Sequence, residues 1–178
     1  NSKINIFDTA LDYKLNYEFL KNLKKPVKII SKIKLPKGNI KKSLFYLENQ
    51  ILNELKKIGI KSFEAILIHN INDLKTKNGK IFLKFVLHLK RLGLTKFIGI
   101  SIYEPKDLDV ALSIFRPDII QFPLNHLNDS FMKENTFKKL KRSKAILQAR
   151  SIFLQGLMMK NSREIKNLNA NIKLKKIL

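Results

Sequence analysis

Short apolar runs alternate along the chain with longer segments whose apolar residues recur about every 3.6 positions. The short runs are Ile4–Phe7, Val27–Ser31, Ala65–Ile68, Phe97–Ile100, Ile119–Gln121 and Ala145–Ala149. Each has the length of a buried strand and several are rich in β-branched residues, as parallel strands covered on both faces are. In Ile40–Ile58, the residues Leu44, Leu47, Ile51, Leu55 and Ile58 fall on one helical face. Lys80–Leu92 sets Ile81, Phe85, Leu89 and Leu92 in a similar stripe. Pro105–Phe115 opens on a proline suited to a first helical turn. Phe131–Ser143 predicts a further helix. Gly59 and Gly93 stand just past two of these segments, where a left-handed residue ends a helix. The alternation predicts a parallel sheet with helical crossovers. No GxGxxG follows any strand, so a Rossmann-type dinucleotide fold is not supported. About six strands in series with no change of rhythm predict an α/β fold of the (β/α) barrel kind, in a single domain spanning residues 1–178.

Composition changes this picture little. The chain has 178 residues, no cysteine and a formal net charge of +22. Disulfides and thiolate metal sites are therefore ruled out. No run approaches ~18 consecutive apolar residues, and no secretory signal pattern is visible, so no membrane span is expected and the expected location is cytoplasmic. The charge invites a nucleic-acid reading. Only five of the 36 basic residues are arginine, however: Arg91, Arg116, Arg142, Arg150 and Arg163. Readout of bases and phosphates favours the arginine fork. The lysines are spread along the chain, and the densest stretch, Lys138–Lys144, reads as the exposed end of a helix, so no nucleic-acid partner is expected.

The informative feature is what each apolar run ends on. The first stops at Asp8, with Tyr13 five residues later. The next four end at Lys32, His69, Ser101 and Gln121, and the sixth at Arg150-Ser151. In a parallel barrel the C-terminal strand ends gather on one rim, where active sites are built. An Asp beside a Lys keeps the Lys charged and fixed. A lysine cation beside a phenol favours the ionised phenol. A phenol so tuned can exchange a proton with a carbonyl or alkoxide oxygen, and a His aimed at the same oxygen can orient and polarise it. His69, His88 and His126 are not at metal-ligand spacing. Without a metal or a reactive nucleophile, the natural partner is an organic hydride donor.

Together these residues resemble the aldo-keto reductases. Phe7-Asp8-Thr9-Ala10 with Tyr13 resembles the family's FDTA…Y motif, and Ser31-Lys32 and Leu67-Ile68-His69 resemble the strands that carry its lysine and histidine. Lys96-Phe97-Ile98-Gly99-Ile100-Ser101 resembles its K-x-I-G-V-S strand, and Asp118–Asn125 the next strand with its glutamine. Ala149–Leu157 resembles the segment after the seventh strand. The resemblance covers roughly residues 1–160 and implies a (β/α)8 TIM barrel that reduces aldehydes or ketones with NADPH, or alternatively NADH. It implies Tyr13 as proton donor, Lys32 beside it, Asp8 paired with Lys32, and His69 orienting the substrate carbonyl. Ser101 and Gln121 would hold the nicotinamide carboxamide, and Arg150, Ser151, Gln155 and Gly156 would complete the cofactor site. Ile102 stands where the family commonly has Asn, and Arg150 where it commonly stacks an aromatic ring.

A complete barrel of this type takes roughly 250 residues. If the first run is the family's second strand, the first and last strands are absent, as is the loop that grips the 2′-phosphate. The chain is then expected to be a fragment of a longer enzyme, with two open sheet edges and an unplaced basic tail at 161–178. Two other readings stay open: a catalytically inactive barrel remnant acting as a binding or assembly protein, and a basic nucleic-acid-binding protein. Among the remaining residues, His88 reads as a surface or packing residue and His126 as a loop residue. Tyr103 reads equally as a pocket wall or a cover for the next helix, Lys34 reads as solvated, and Asp12 reads as a loop residue rather than a second catalytic carboxylate.

Overall fold

A computed structural model describes residues 4–13, 19–20, 22 and 26–160 of the chain. The segment between the first two strands lies largely outside the described residues, as does the basic tail 161–178. The six predicted strands are all present: β1 (Ile6–Asp8), β2 (Lys28–Ile33), β3 (Phe63–Ile68), β4 (Thr95–Ser101), β5 (Ile119–Pro123) and β6 (Ile146–Arg150). They form one parallel sheet in sequence order, each strand paired with the next. Helices α1 (Ile40–Ile58), α2 (Asn72–Lys75), α3 (Gly79–Arg91), α4 (Pro105–Ile114) and α5 (Glu134–Arg142) fill the crossovers. The sheet curls into a half-barrel, an incomplete (β/α)8 barrel.

Helix α1 has the predicted limits. The Asn39 side chain accepts from the Lys42 N–H at its start. At its end Gly59 takes φ 81° and donates its N–H to the Leu55 carbonyl, a conformation that glycine adopts without strain. Helix α3 is shifted on its axis from the predicted stripe. Phe82, Phe85, Val86 and Leu89 face the sheet, at spacings of three, one and three residues, whereas Ile81 and Leu92 are 46% and 48% exposed. The segment predicted as one helix over 131–143 is two elements. A 3-10 turn, Ser130–Met132, is separated from α5 by extended Lys133. The cause is Phe131, which is fully buried with its ring 5.0 Å from that of Phe122 on β5; it anchors the turn independently of the helix. The lysine-rich stretch 138–144 is mostly exposed, with Leu140 as the one fully buried side chain.

Strand alternation divides the sheet into two faces. Ile29, Ile33, Ile66, Ile68, Ile98, Ile100, Ile120 and Phe122 point to the helices and join the large core. The opposite, inner face has a small apolar core of Ile30, Ala65, Leu67 and Ile119, with Phe97 packed against it. Gly99 belongs to this inner layer. A Cβ there would lie 2.5 Å from the Ile119 carbonyl oxygen and 2.5 Å from a Leu67 methyl, so the barrel wall closes only over a glycine. Above this floor the inner face turns polar, at Asp8, Lys32, Ser101, Gln121 and Gln148. At its margins Ile6 on β1 and Ile146 on β6 remain 49% and 53% exposed. Among the described residues β1 and β6 have no outer neighbour, which leaves the two open edges expected from the chain's length.

Candidate active site

The parallel register carries the polar strand ends to one rim. Lys32 is adjacent to Leu67 on β3, Ser101 to Gln121 on β5, and Gln121 to Gln148 on β6. Asp8 and Lys32, 24 residues apart, meet directly. Lys32 Nζ lies 2.7 and 2.6 Å from the two Asp8 carboxylate oxygens. Lys32 is only 5% exposed and the Asp8 side chain 36%. An ammonium this dry needs an anionic partner at hydrogen-bond distance, and Asp8 is that partner.

Tyr13 and His69 also come together, with ring centroids 6.3 Å apart and planes at 82°, an edge-to-face contact. Their surroundings differ. Tyr13 is 53% exposed, whereas His69 is 9% exposed, with Nδ1 buried and unpartnered. The His69 backbone N–H is fixed on the Ile33 carbonyl at 2.8 Å. Burial, and next the nearby Lys34 and Lys32 cations, hold the His69 pKa below its ordinary value of 6.5, with Asp12 opposing. The imidazole is therefore kept neutral near pH 7. A neutral imidazole carries a single N–H, which it can donate to an oxygen. Lys34 pairs with Asp12 at 2.7 Å on the exposed lip, beside Tyr13. Lys34 is solvated, as its sequence context predicts, and Asp12 is exposed beside it; the two act on His69 in opposite senses, alongside Lys32 and Arg150.

On the other side of Lys32, Gln121 is fully buried. Its Nε2 donates to Asp8 Oδ1 at 3.2 Å and to Gln148 Oε1 at 3.3 Å. Its Oε1, and the Ser101 hydroxyl on the neighbouring strand, are buried with no partner. Arg150 continues the inner face two residues beyond Gln148. Its guanidinium carbon lies 4.3 Å from the Tyr103 ring centre, stacking on that face. Nη1 donates to Ser151 Oγ at 3.3 Å, while Nε and Nη2 are buried and unpartnered. Tyr103 is held in place because the Asp107 carboxylate accepts both the Tyr103 and Glu104 N–H groups, at 3.1 and 3.0 Å. Tyr103 is thus a wall of this rim. Ile102 points to the helix side, fully buried in the large core, and donates its N–H to the Gln121 carbonyl. Its side chain is therefore turned away from the rim.

Ser151 and Gly156 lie in the turn that follows β6. Ser151 takes φ 59° and Gly156 takes φ 87°, and the Gly156 N–H donates to the Phe153 carbonyl. The Gln155 side chain lies outside what the structure describes. His88 and His126 are exposed, His88 on α3 and His126 in the segment after β5. No group of three or more metal-ligating side chains occurs among the described residues, and no described helix is long and apolar enough to cross a membrane. The residue that sequence reasoning passed over is Gln148. Its signal was a single amide inside an otherwise apolar run, two positions before Arg150 and therefore on the same strand face.

Comparison with solved structures gives the same architecture. An aldo-keto reductase of Bacillus halodurans in its holo form matches with a TM-score of 0.66 at 18% identity, over 87% of this chain and 55% of that one. The glycerol dehydrogenase of Gluconobacter oxydans matches with a TM-score of 0.63 at 18% identity, over 86% and 51%. A Bombyx mori aldo-keto reductase in complex with NADP matches with a TM-score of 0.56 at 20% identity, over 83% and 52%. The chain spans 51–59% of the length of such structures. No curated protein matches the sequence. At these identities the likeness speaks for the fold; descent is carried by the model of the aldo/keto reductase family, which matches residues 2–177, and the chain belongs to that family.

Proposed function

We propose that the rim is the active site of a carbonyl reductase that takes hydride from NADPH, with NADH as the alternative donor, and converts an aldehyde or ketone to an alcohol. The observation that carries this reading is the Lys32–Asp8 pair, a buried ammonium fixed on a carboxylate, on the same rim as the Tyr13–His69 ring contact. The unpartnered buried groups support the cofactor. Ser101 Oγ and Gln121 Oε1, with Arg150 Nε and Nη2, offer both acceptors and donors, as a primary carboxamide requires. Ser101, Gln121 and Arg150 would hold the nicotinamide, with Ser151 and the Gly156 turn beside them. When bound, the nicotinamide supplies the hydride that adds to the carbonyl carbon. The C=O π pair then passes to oxygen, and Tyr13 Oη gives that oxygen its proton. His69, neutral and fixed by its backbone, donates to the carbonyl oxygen and orients it. Lys32 keeps positive charge beside the developing oxyanion, and Asp8 keeps Lys32 in place.

Tyr13→Phe tests this directly. Turnover should fall by about 10²–10⁴ while the Kd for NADPH stays within about twofold of the parent; unchanged turnover would remove Tyr13 from the mechanism. A second reading, a non-catalytic half-barrel that binds another protein, has one observation in its favour: the half-exposed Ile6 and Ile146 on the inner face. It predicts no saturable binding of NADPH or NADH.

A further inference from the structure

The amide of Gln121 can be read in only one sense. Asp8 offers its carboxylate oxygens as acceptors, so the group facing it at 3.2 Å must be the Gln121 nitrogen, which donates. The second N–H of the same nitrogen is taken by Gln148 Oε1 at 3.3 Å. Both donors are then spent, and the Gln121 oxygen is left buried with no partner, one strand across from the equally unpartnered Ser101 hydroxyl. An amide nitrogen held by one acceptor alone can pivot about that bond. Held by two, it has a single orientation.

We propose that Gln148 is a positioning residue: by accepting the second N–H of Gln121 it fixes Gln121 as an acceptor toward the ligand, so that the rim selects a ligand carrying an N–H donor at this point. The inference rests on the carbonyl-reductase reading for the identity of that ligand, where the donor is the NH2 of the nicotinamide carboxamide. It also ties cofactor recognition to the catalytic carboxylate, since Gln121 bridges Gln148 and Asp8. Gln148 itself need not touch the ligand.

The test uses the whole chain and two dinucleotides, NADPH and its 3-acetylpyridine analogue, whose methyl ketone has no N–H to give. Kd is measured by fluorescence or calorimetric titration for the parent, Gln148→Leu and Gln148→Glu. Glutamate retains an acceptor at this position and leucine does not. Losing one neutral hydrogen bond of positioning is worth about 3–10-fold. Gln148→Leu should weaken NADPH by that factor and the analogue by less than about twofold, and Gln148→Glu should restore the parent's preference. A readout independent of cofactor is hydrogen exchange of the Gln121 side-chain NH2 in the ligand-free protein, which should quicken in Gln148→Leu and not in Gln148→Glu. Equal weakening of both dinucleotides, or unchanged NADPH binding with unchanged exchange, overturns the role of Gln148. If the parent binds neither dinucleotide, the carbonyl-reductase reading falls and the inference falls with it.

Discussion

On the helix side of the sheet, Ile29, Ile66, Ile98, Ile100 and Ile120 are sealed between strands and helices, each at most 2% exposed. On the inner side β2, β4, β5 and the neighbouring β6 carry Lys32, Ser101, Gln121 and Gln148, with a thin apolar floor beneath them. Both sides are largely buried over the central strands, yet they are buried for opposite reasons. The outer side removes apolar area from water and supplies stability in proportion to that area. The inner side keeps polar atoms dry, some paired and some not, and each unpaired atom costs stability. Among the described residues that cost falls on His69 Nδ1, Ser101 Oγ, Gln121 Oε1 and two nitrogens of Arg150 on the inner side, against Ser31 Oγ on the helix side. Orphaned donors and acceptors are thus concentrated on the inner face, and it is that face, rather than the tightly packed one, that is suited to receive a ligand.

The contrast can be broken from either side. Ile66→Ala on the outer face should cost the most stability, about 2–5 kcal/mol, read as a fall in the denaturant midpoint, with NADPH affinity unchanged in the protein that remains folded. Lys32→Met should cost less. Breaking a fully buried ion pair costs roughly 3–5 kcal/mol, but the Asp8 side chain here is 36% exposed and water can take over part of the solvation, so about 1–2 kcal/mol is expected. Its effect on turnover should be far larger than its effect on stability, the reverse of Ile66→Ala. The smallest effect concerns protonation. Because the folded state holds the His69 pKa below 6.5, the unfolded chain takes up its proton first as pH falls. Stability is then lost progressively from about pH 6.5 downward and levels off below the lowered folded value. Comparing denaturation midpoints at pH 7.5 and 5.5 for the parent and His69→Gln should show a smaller drop in the variant; equal drops would mean that the imidazole is not held neutral.

Much of the outer face was legible in the sequence, because burial there imposes a period. Helix α1 follows its stripe from Leu44 to Ile58, and the strands follow their apolar runs. Errors arose where an anchor competes with the period. Phe131 leaves the helical pattern to pack on Phe122, and α3 turns Phe82 and Val86 inward instead of Ile81. The inner face was legible only as strand ends, since a polar residue closing an apolar run states its position and not its partners. Asp8 with Lys32 could be paired by recognising the motif, whereas the ring contact of Tyr13 with His69 is seen only in the fold. Gln148 could not, because its meaning comes from the register that sets it beside Gln121. Arg150 stacked on Tyr103 is likewise a contact between β6 and the loop after β4, which no local pattern records.

The central claim, that this rim moves hydride to a carbonyl carbon with Tyr13 supplying the proton, is tested most directly by isotope transfer. The chain is incubated with 4-deuterated NADPH and a panel of aldehydes and ketones, and the alcohol is analysed for deuterium at the carbinol carbon. The account predicts deuterium on that carbon with the parent protein and a rate about 10²–10⁴ lower with Tyr13→Phe. Absence of label with every carbonyl, or equal transfer by both proteins, would contradict it.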